Sequence, residues 1–209
     1  LSVFFAEPKG KEVSYDSSTY NTIKKWFWQS CLGNRYSSQT KRTTIRDIDE
    51  IKKLKNGSQS NLANLNIDLS EDFFQSYVLR MTTVHTKTFI LLLANHDPRS
   101  LISGKNIDLD KVLQQYNRAQ FHHIYPNAFL KQKGLEYNKI NCLANFCFLS
   151  SAENKKIGKK KPSEYVELID KKKETLQSAF CDIEDFNDDF DGFLTRRSQR
   201  LLRFAKQLI

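Results

Sequence analysis

The sequence predicts a mainly α-helical chain with one small strand-containing unit inserted in its second half. Three observations point there. Only 7 Gly and 4 Pro occur in 209 residues, so turns are few and helices long. Apolar residues recur at helical spacing through most of the chain. From Gln120 the texture changes to short aromatic and β-branched runs, the first stopped by Pro126.

Residues 1–16 form an arm without an assigned element. A helix is expected through YNTIKKWFWQSCL, capped by Ser17 or Ser18, with Tyr20, Ile23, Phe27 and Cys31 at helical spacing and Gly33 ending it. NRYSSQTKRTT reads as a loop, in which Arg35 is either a phosphate contact or ordinary loop polarity. TIRDIDEIKKLKNG is a second helix, with Ile45, Ile48, Ile51 and Leu54 on one stripe and Gly57 after it. A third helix follows Ser70 through SEDFFQSYVLRM. TKTFILLLANH is apolar on most sides and belongs at the centre of the helical part. DLDKVLQQYNRA is a short amphipathic segment. QFHHIYP and NCLANFCFLSS are strands, NAFLKQKGLEYNKI between them is helix or loop, and AENKKIG starts a helix.

The last segment, DGFLTRRSQRLLRFAKQLI, is an amphipathic packing helix with Leu194, Leu201, Phe204 and Leu208 as its apolar side and Arg196, Arg200 and Arg203 elsewhere. The acidic DIEDFNDDFD before it lacks the Gly and closing Glu of a calcium loop. It reads as a solvated turn with helix-capping acids.

Composition narrows the function. A hydrophobic content of 39%, with 15 Phe and 8 Tyr, is enough to bury a core. The longest purely apolar run, Phe89 to Ala94, is far short of the about 20 residues a bilayer requires. LSVFFAEPKGKEV lacks the basic start of a secretory signal. No membrane association and a cytoplasmic location are therefore expected, with Cys31, Cys142, Cys147 and Cys181 as free thiols in a reducing compartment. The chain opens on Leu1, so it is expected to come from a longer protein. The excess of 33 basic over 24 acidic residues, a net charge of +9, favours a polyanionic partner, nucleic acid being the usual one, or else an unpartnered basic surface. No phosphate-loop or nucleophile-elbow pattern occurs.

The chain has only four histidines, and two of them, His122 and His123, are adjacent. On a strand, successive side chains point to opposite faces. One ring could then meet a metal while the other faces a substrate; the plain alternative is one buried, hydrogen-bonded ring and one on the surface. His85 and His96 stand in no motif and are read as structural. Cys142 and Cys147 miss the close ligand spacing of a structural zinc site and are read as buried thiols.

HHIYP is followed by Asn145 in LANF, by Asn154 nine positions further on in AENKK, and then by KPSEYV. In that order the residues resemble the HNH nuclease superfamily with its ββα-metal motif. They are most similar to the carboxyl-terminal nuclease domain of GmrSD-type restriction endonucleases, which cleave modified foreign DNA. The HNH domain of RNA-guided CRISPR nucleases has the same nine-position step. The resemblance is clearest over residues 119–168 and weaker at WFWQSCLGNRYSS.

It implies a mainly α fold with a small inserted ββα-metal (HNH) unit. Residues 1–118 would be a helical region, 119–168 the nuclease core, and 169–209 helices packing on the same domain. The implied activity is metal-dependent hydrolysis of DNA phosphodiesters, in a bacterial restriction or anti-phage protein. The alternatives are a non-catalytic basic DNA-binding module with a degenerate HNH fold, or an RNA-directed nuclease. The resemblance makes His123 the general base, as suits an imidazole titrating at about 6.5. It makes His122 and Asn154 ligands of one divalent cation, and Asn145 a brace between the strands that helps orient His123. With so few protein ligands, Mg²⁺ is the first expectation. A His ligand where many relatives carry an acid opens Mn²⁺, Ni²⁺ or Zn²⁺. Lys155, Lys156, Lys159, Lys160 and Lys161 follow the proposed ligand and would contact DNA phosphates. The amino-terminal nucleotide-sensing domain of such enzymes is expected to lie outside this chain.

Overall fold

A computed structural model describes Phe4, residues 16–110 and residues 121–209. Most of the arm at 1–16 and of the segment DLDKVLQQYNRA lies outside the described residues. The chain forms two compact units, one of residues up to Leu69 with Lys206–Ile209, the other Ser70–Ala205.

In the first unit, α1 (Ser17–Leu32) is capped by Asp16, whose carboxylate accepts from the Thr19 amide at 2.7 Å. The cap is thus one residue ahead of the expected serines. α2 (Thr40–Lys55) begins inside the stretch expected to be loop. Both helices are where their spacing puts them, yet both are rotated from the expected faces. α1 buries Ile23, Trp26, Trp28 and Leu32, while Tyr20 is 46% exposed. α2 buries Asp47, Glu50 and Ile51 and leaves Ile45 53% exposed.

A buried carboxylate explains the rotation. Asp47 accepts from Trp26 Nε1 at 3.3 Å, from Arg35 Nε and Nη2 at 2.8 and 2.6 Å, and from the Tyr36 hydroxyl at 2.6 Å. Burial alone would raise its pKa; these donors outweigh that and lower it. Arg35 is thereby committed to a structural fork rather than to a phosphate. Phe4, Ile23, Trp26, Ile51 and Leu62 form the core of this unit.

The second unit opens with α3 (Asp72–Gln75), much shorter than the expected helix. The chain leaves it because residues 77–79 pair elsewhere. Val78 bridges Cys142, the Leu143 amide donates to the Tyr77 carbonyl, and the Leu79 amide donates to that of Asn141, both at 2.9 Å. α4 (Val84–Ala94), capped by Thr83, buries Phe89, Ile90, Leu92 and Leu93 as a central helix.

Then come β1 (Phe121–His123), α5 (Asn127–Gln132), α6 (Tyr137–Ile140), a 3-10 turn at Leu143–Asn145, and β2 (Phe146–Phe148). The strands are antiparallel, with Phe121 opposite Phe148, His122 opposite Cys147 and His123 opposite Phe146. α7 (Ser151–Ile157) follows with a capping box between Ser150 and Glu153. α8 (Pro162–Tyr165), α9 (Lys172–Ser178) and α10 (Phe190–Gln207) complete the unit's helices. The expected architecture, mainly helical with a small two-stranded sheet, is what the chain adopts. The acidic stretch departs from expectation: Asp185 is fully buried and holds Arg196 at 2.8 Å and Arg200 at 2.5 Å. No helix among the described residues is long and apolar enough to cross a membrane.

Candidate functional site

The hairpin turns on Asn145, whose side chain has no solvent exposure. Its Oδ1 accepts from the Tyr125 amide at 2.9 Å. Its Nδ2 donates to the carbonyls of Tyr125 at 3.2 Å and Ile140 at 2.9 Å. Its own carbonyl accepts from the Ile124 amide at 2.8 Å. One amide side chain thus pins the exit of β1, directly after His123, to the entrance of β2.

His123 itself is held by a residue the motif did not single out. Its Nε2 lies 3.1 Å from Asn141 Oδ1, and its ring packs at 4.3 Å on Phe146 across the ladder. Asn141 is buried, and its Nδ2 donates to the Tyr137 carbonyl at 2.8 Å. A carbonyl can only accept, so that bond fixes which end of the amide is Oδ1. An acceptor facing Nε2 in turn assigns the neutral ring its Nε2–H tautomer, leaving the lone pair on Nδ1.

His122 sits opposite Cys147, whose thiol is 3.9 Å from the His122 carbonyl. Burial raises the Cys147 thiol, and it pushes Cys142 up to about 11, so both stand as thiols at neutral pH. Asn154 lies in the middle of α7, half-buried, with its amide donating to the Ser150 carbonyl at 2.8 Å. Its neighbour Glu153 is spent on structure. Glu153 accepts from the Ser100 hydroxyl, from the Ser103 amide at 3.1 Å and from the Ser150 hydroxyl at 2.8 Å. Burial works to raise its pKa, but these bonds outweigh it and hold the carboxylate at about 2.

No group of three or more His, Cys, Asp or Glu able to hold a metal occurs among the described residues. His122 and Asn154, the two expected ligands, are both half-buried, one on β1 and the other in α7. An imidazole and an amide oxygen are a neutral, sparse pair that would suit a cation keeping most of its water rather than a closed tetrahedral site.

The buried Arg197 of α10 was also not visible beforehand. It donates to the carbonyls of Ala144 at 2.5 Å, Phe146 at 2.8 Å and Ala179 at 2.9 Å. It thereby clamps the backbone on both sides of Asn145. The available signal was its place on the apolar stripe, three residues after Leu194 and four before Leu201. Lys155, Lys156, Lys159, Lys160 and Lys161 are exposed, and among the described residues none of them makes an ion pair with an acid.

Compared with known proteins, the chain is 25% identical over 235 aligned residues to an uncharacterized protein of Methanocaldococcus jannaschii. The match covers 94% of this chain and 39% of that protein, so the chain spans about two fifths of its relative's length. No family model matches the chain, and no solved structure matches it.

Proposed function

We propose that the chain is a metal-dependent endonuclease domain of the HNH type that hydrolyses DNA phosphodiesters, serving a restriction or anti-phage protein. The observation that carries this reading is the anchoring of His123. The histidine stands on a short antiparallel hairpin closed by a capped helix, and Asn141 grips it by one ring nitrogen. Asn145 locks the strand beyond it.

His123 Nδ1 takes a proton from a water as that water attacks phosphorus, and the 3′ oxygen departs. Asn141 keeps the ring in the tautomer that puts the lone pair on that nitrogen. His122 and Asn154 would hold a divalent cation, which would supply Lewis-acid polarisation of the scissile phosphate. Mg²⁺ suits this arrangement, and the imidazole admits Mn²⁺, Ni²⁺ or Zn²⁺. The lysines from 155 to 161 contribute affinity for the backbone without choosing a sequence.

Those five exposed lysines, which make no ion pair with an acid among the described residues, equally support a second reading, a basic DNA-binding module without turnover. A plasmid-nicking assay across Mg²⁺, Mn²⁺, Ni²⁺ and Zn²⁺ separates the two. The expected result is nicking in at least one metal, abolished by His123→Ala with DNA binding nearly intact. A chain that binds plasmid and never nicks it is the binding module, and one that prefers RNA in the same assay is an RNA nuclease.

A further inference from the structure

Three aromatic rings, Tyr77, His85 and Tyr137, stand on segments joined through the backbone to the hairpin that carries His123, and none of the three is fully buried. Tyr77 and His85 are stacked face to face, with centroids 3.6 Å apart and planes 13° from parallel. Phe73 meets both edge-on, each at 5.7 Å, so the stack is held rigid from one side. Tyr77 is nonetheless 41% exposed, and Tyr137 is 61% exposed. Burial lowers the pKa of His85, which keeps its ring neutral near physiological pH.

The backbone ties these rings to the candidate site. Tyr77 pairs with Leu143 and Leu79 with Asn141 across the Val78–Cys142 bridge. Tyr137 supplies the carbonyl that orients the Asn141 amide, and it lies one helical turn before that residue. Both exposed tyrosines thus lie on segments whose backbone is hydrogen-bonded to the stretch carrying the asparagine that holds His123.

The pair covers its own inner faces, and the outer face of such a rigid, partly exposed stack is a surface onto which a nucleobase stacks, whatever its sequence. A duplex hides its base faces, so such a platform meets bases only where they are unpaired. Resting on the nuclease reading for its place beside His123, we propose that the Tyr77–His85 stack, with Tyr137, is a platform for unpaired bases. The preferred partner at this site is then single-stranded nucleic acid, or a duplex with unpaired nucleotides at the cut.

The test is equilibrium binding by fluorescence anisotropy, with the whole chain and with EDTA present so that cleavage plays no part. The probes are a DNA single strand of about 16 nucleotides, its duplex, an abasic strand of equal charge, and the matching RNA strand. The single strand is expected to bind more tightly than the abasic strand. Tyr77→Ala and His85→Ala should each weaken single-strand binding about tenfold while leaving the abasic strand unmoved. Tyr77→Phe should restore it and so exclude misfolding as the cause.

The proposal is overturned if single and abasic strands bind alike, if the duplex binds more tightly than the single strand, or if Tyr77→Ala changes nothing. It is also overturned if Tyr77→Ala weakens the abasic strand as much as the single strand. RNA binding as tight as DNA, lost equally in Tyr77→Ala, upholds the platform and shows that it accepts either sugar. Failure to nick any plasmid beside an intact single-strand preference would sink the nuclease reading and leave the platform standing.

Discussion

Besides Asn145, two side chains help hold the hairpin and its histidine, and each predicts a measurable loss. Asn141 makes one hydrogen bond to His123, and a bond of that kind contributes about 1 kcal/mol. Asn141→Ala should therefore slow nicking about fivefold with DNA binding unchanged, measured as single-turnover rate against anisotropy. Equal loss of binding and rate would show that Asn141 only supports the fold. Arg197 satisfies three carbonyls with no solvent exposure. Removing a buried partner costs about 1–3 kcal/mol for each group left unsatisfied. Arg197→Met should accordingly lower the unfolding free energy in urea by about 3 kcal/mol; a loss within error would refute the clamp.

The histidine pair and the two asparagines entered the candidate site through their resemblance to an ordered motif along the chain. Asn141 and Arg197 were not. Asn141 acts on a residue 18 positions away, Arg197 on carbonyls 18, 51 and 53 positions away, and a carbonyl leaves no mark in a sequence.

At the scale of elements, the helices of the first unit existed where periodicity put them, and their rotation did not follow from it. Apolar counting ranks Ile45 above Asp47 for burial, yet Asp47 is inside because Trp26, Arg35 and Tyr36 together offer it four hydrogen bonds. Such convergence is a property of three dimensions. Asp47→Ala should destabilise the unit by about 3 kcal/mol, since it strands a half-buried guanidinium, and tryptophan fluorescence would report it through Trp26.

The cap of α7 predicts a pH dependence. Glu153 has a folded pKa of about 2, depressed relative to the unfolded chain at about 4.3. Its contribution is fully present above the unfolded value and drains away as pH falls through the folded one. Urea midpoints should therefore decline between about pH 4.5 and pH 2, and Glu153→Gln should flatten part of that decline. An identical pH profile in the variant would show that the cap carries no such weight.

For the whole molecule, the relevant quantity is charge. The net +9 is spread over the chain, but the lysines from 155 to 161 are exposed and make no ion pair with an acid among the described residues. Replacing Lys159, Lys160 and Lys161 together by Ala should reduce the slope of log affinity against log salt by about 2–3. An unchanged slope would place the phosphate contacts elsewhere on the basic surface.

Arg197 also imposes an order of events during synthesis. The hairpin it secures leaves the ribosome some 51 residues ahead of the guanidinium that binds the Phe146 carbonyl. Until residues 190–207 have emerged, His123 rides on a strand pair with its carbonyls open to water. Nascent chains arrested before residue 190 should be cut readily by protease around residues 140–150, whereas chains extended past α10 should resist. On the nuclease reading, the site is then assembled only when the last helix arrives, and a fragment limited to residues 119–168 would carry both histidines without the clamp.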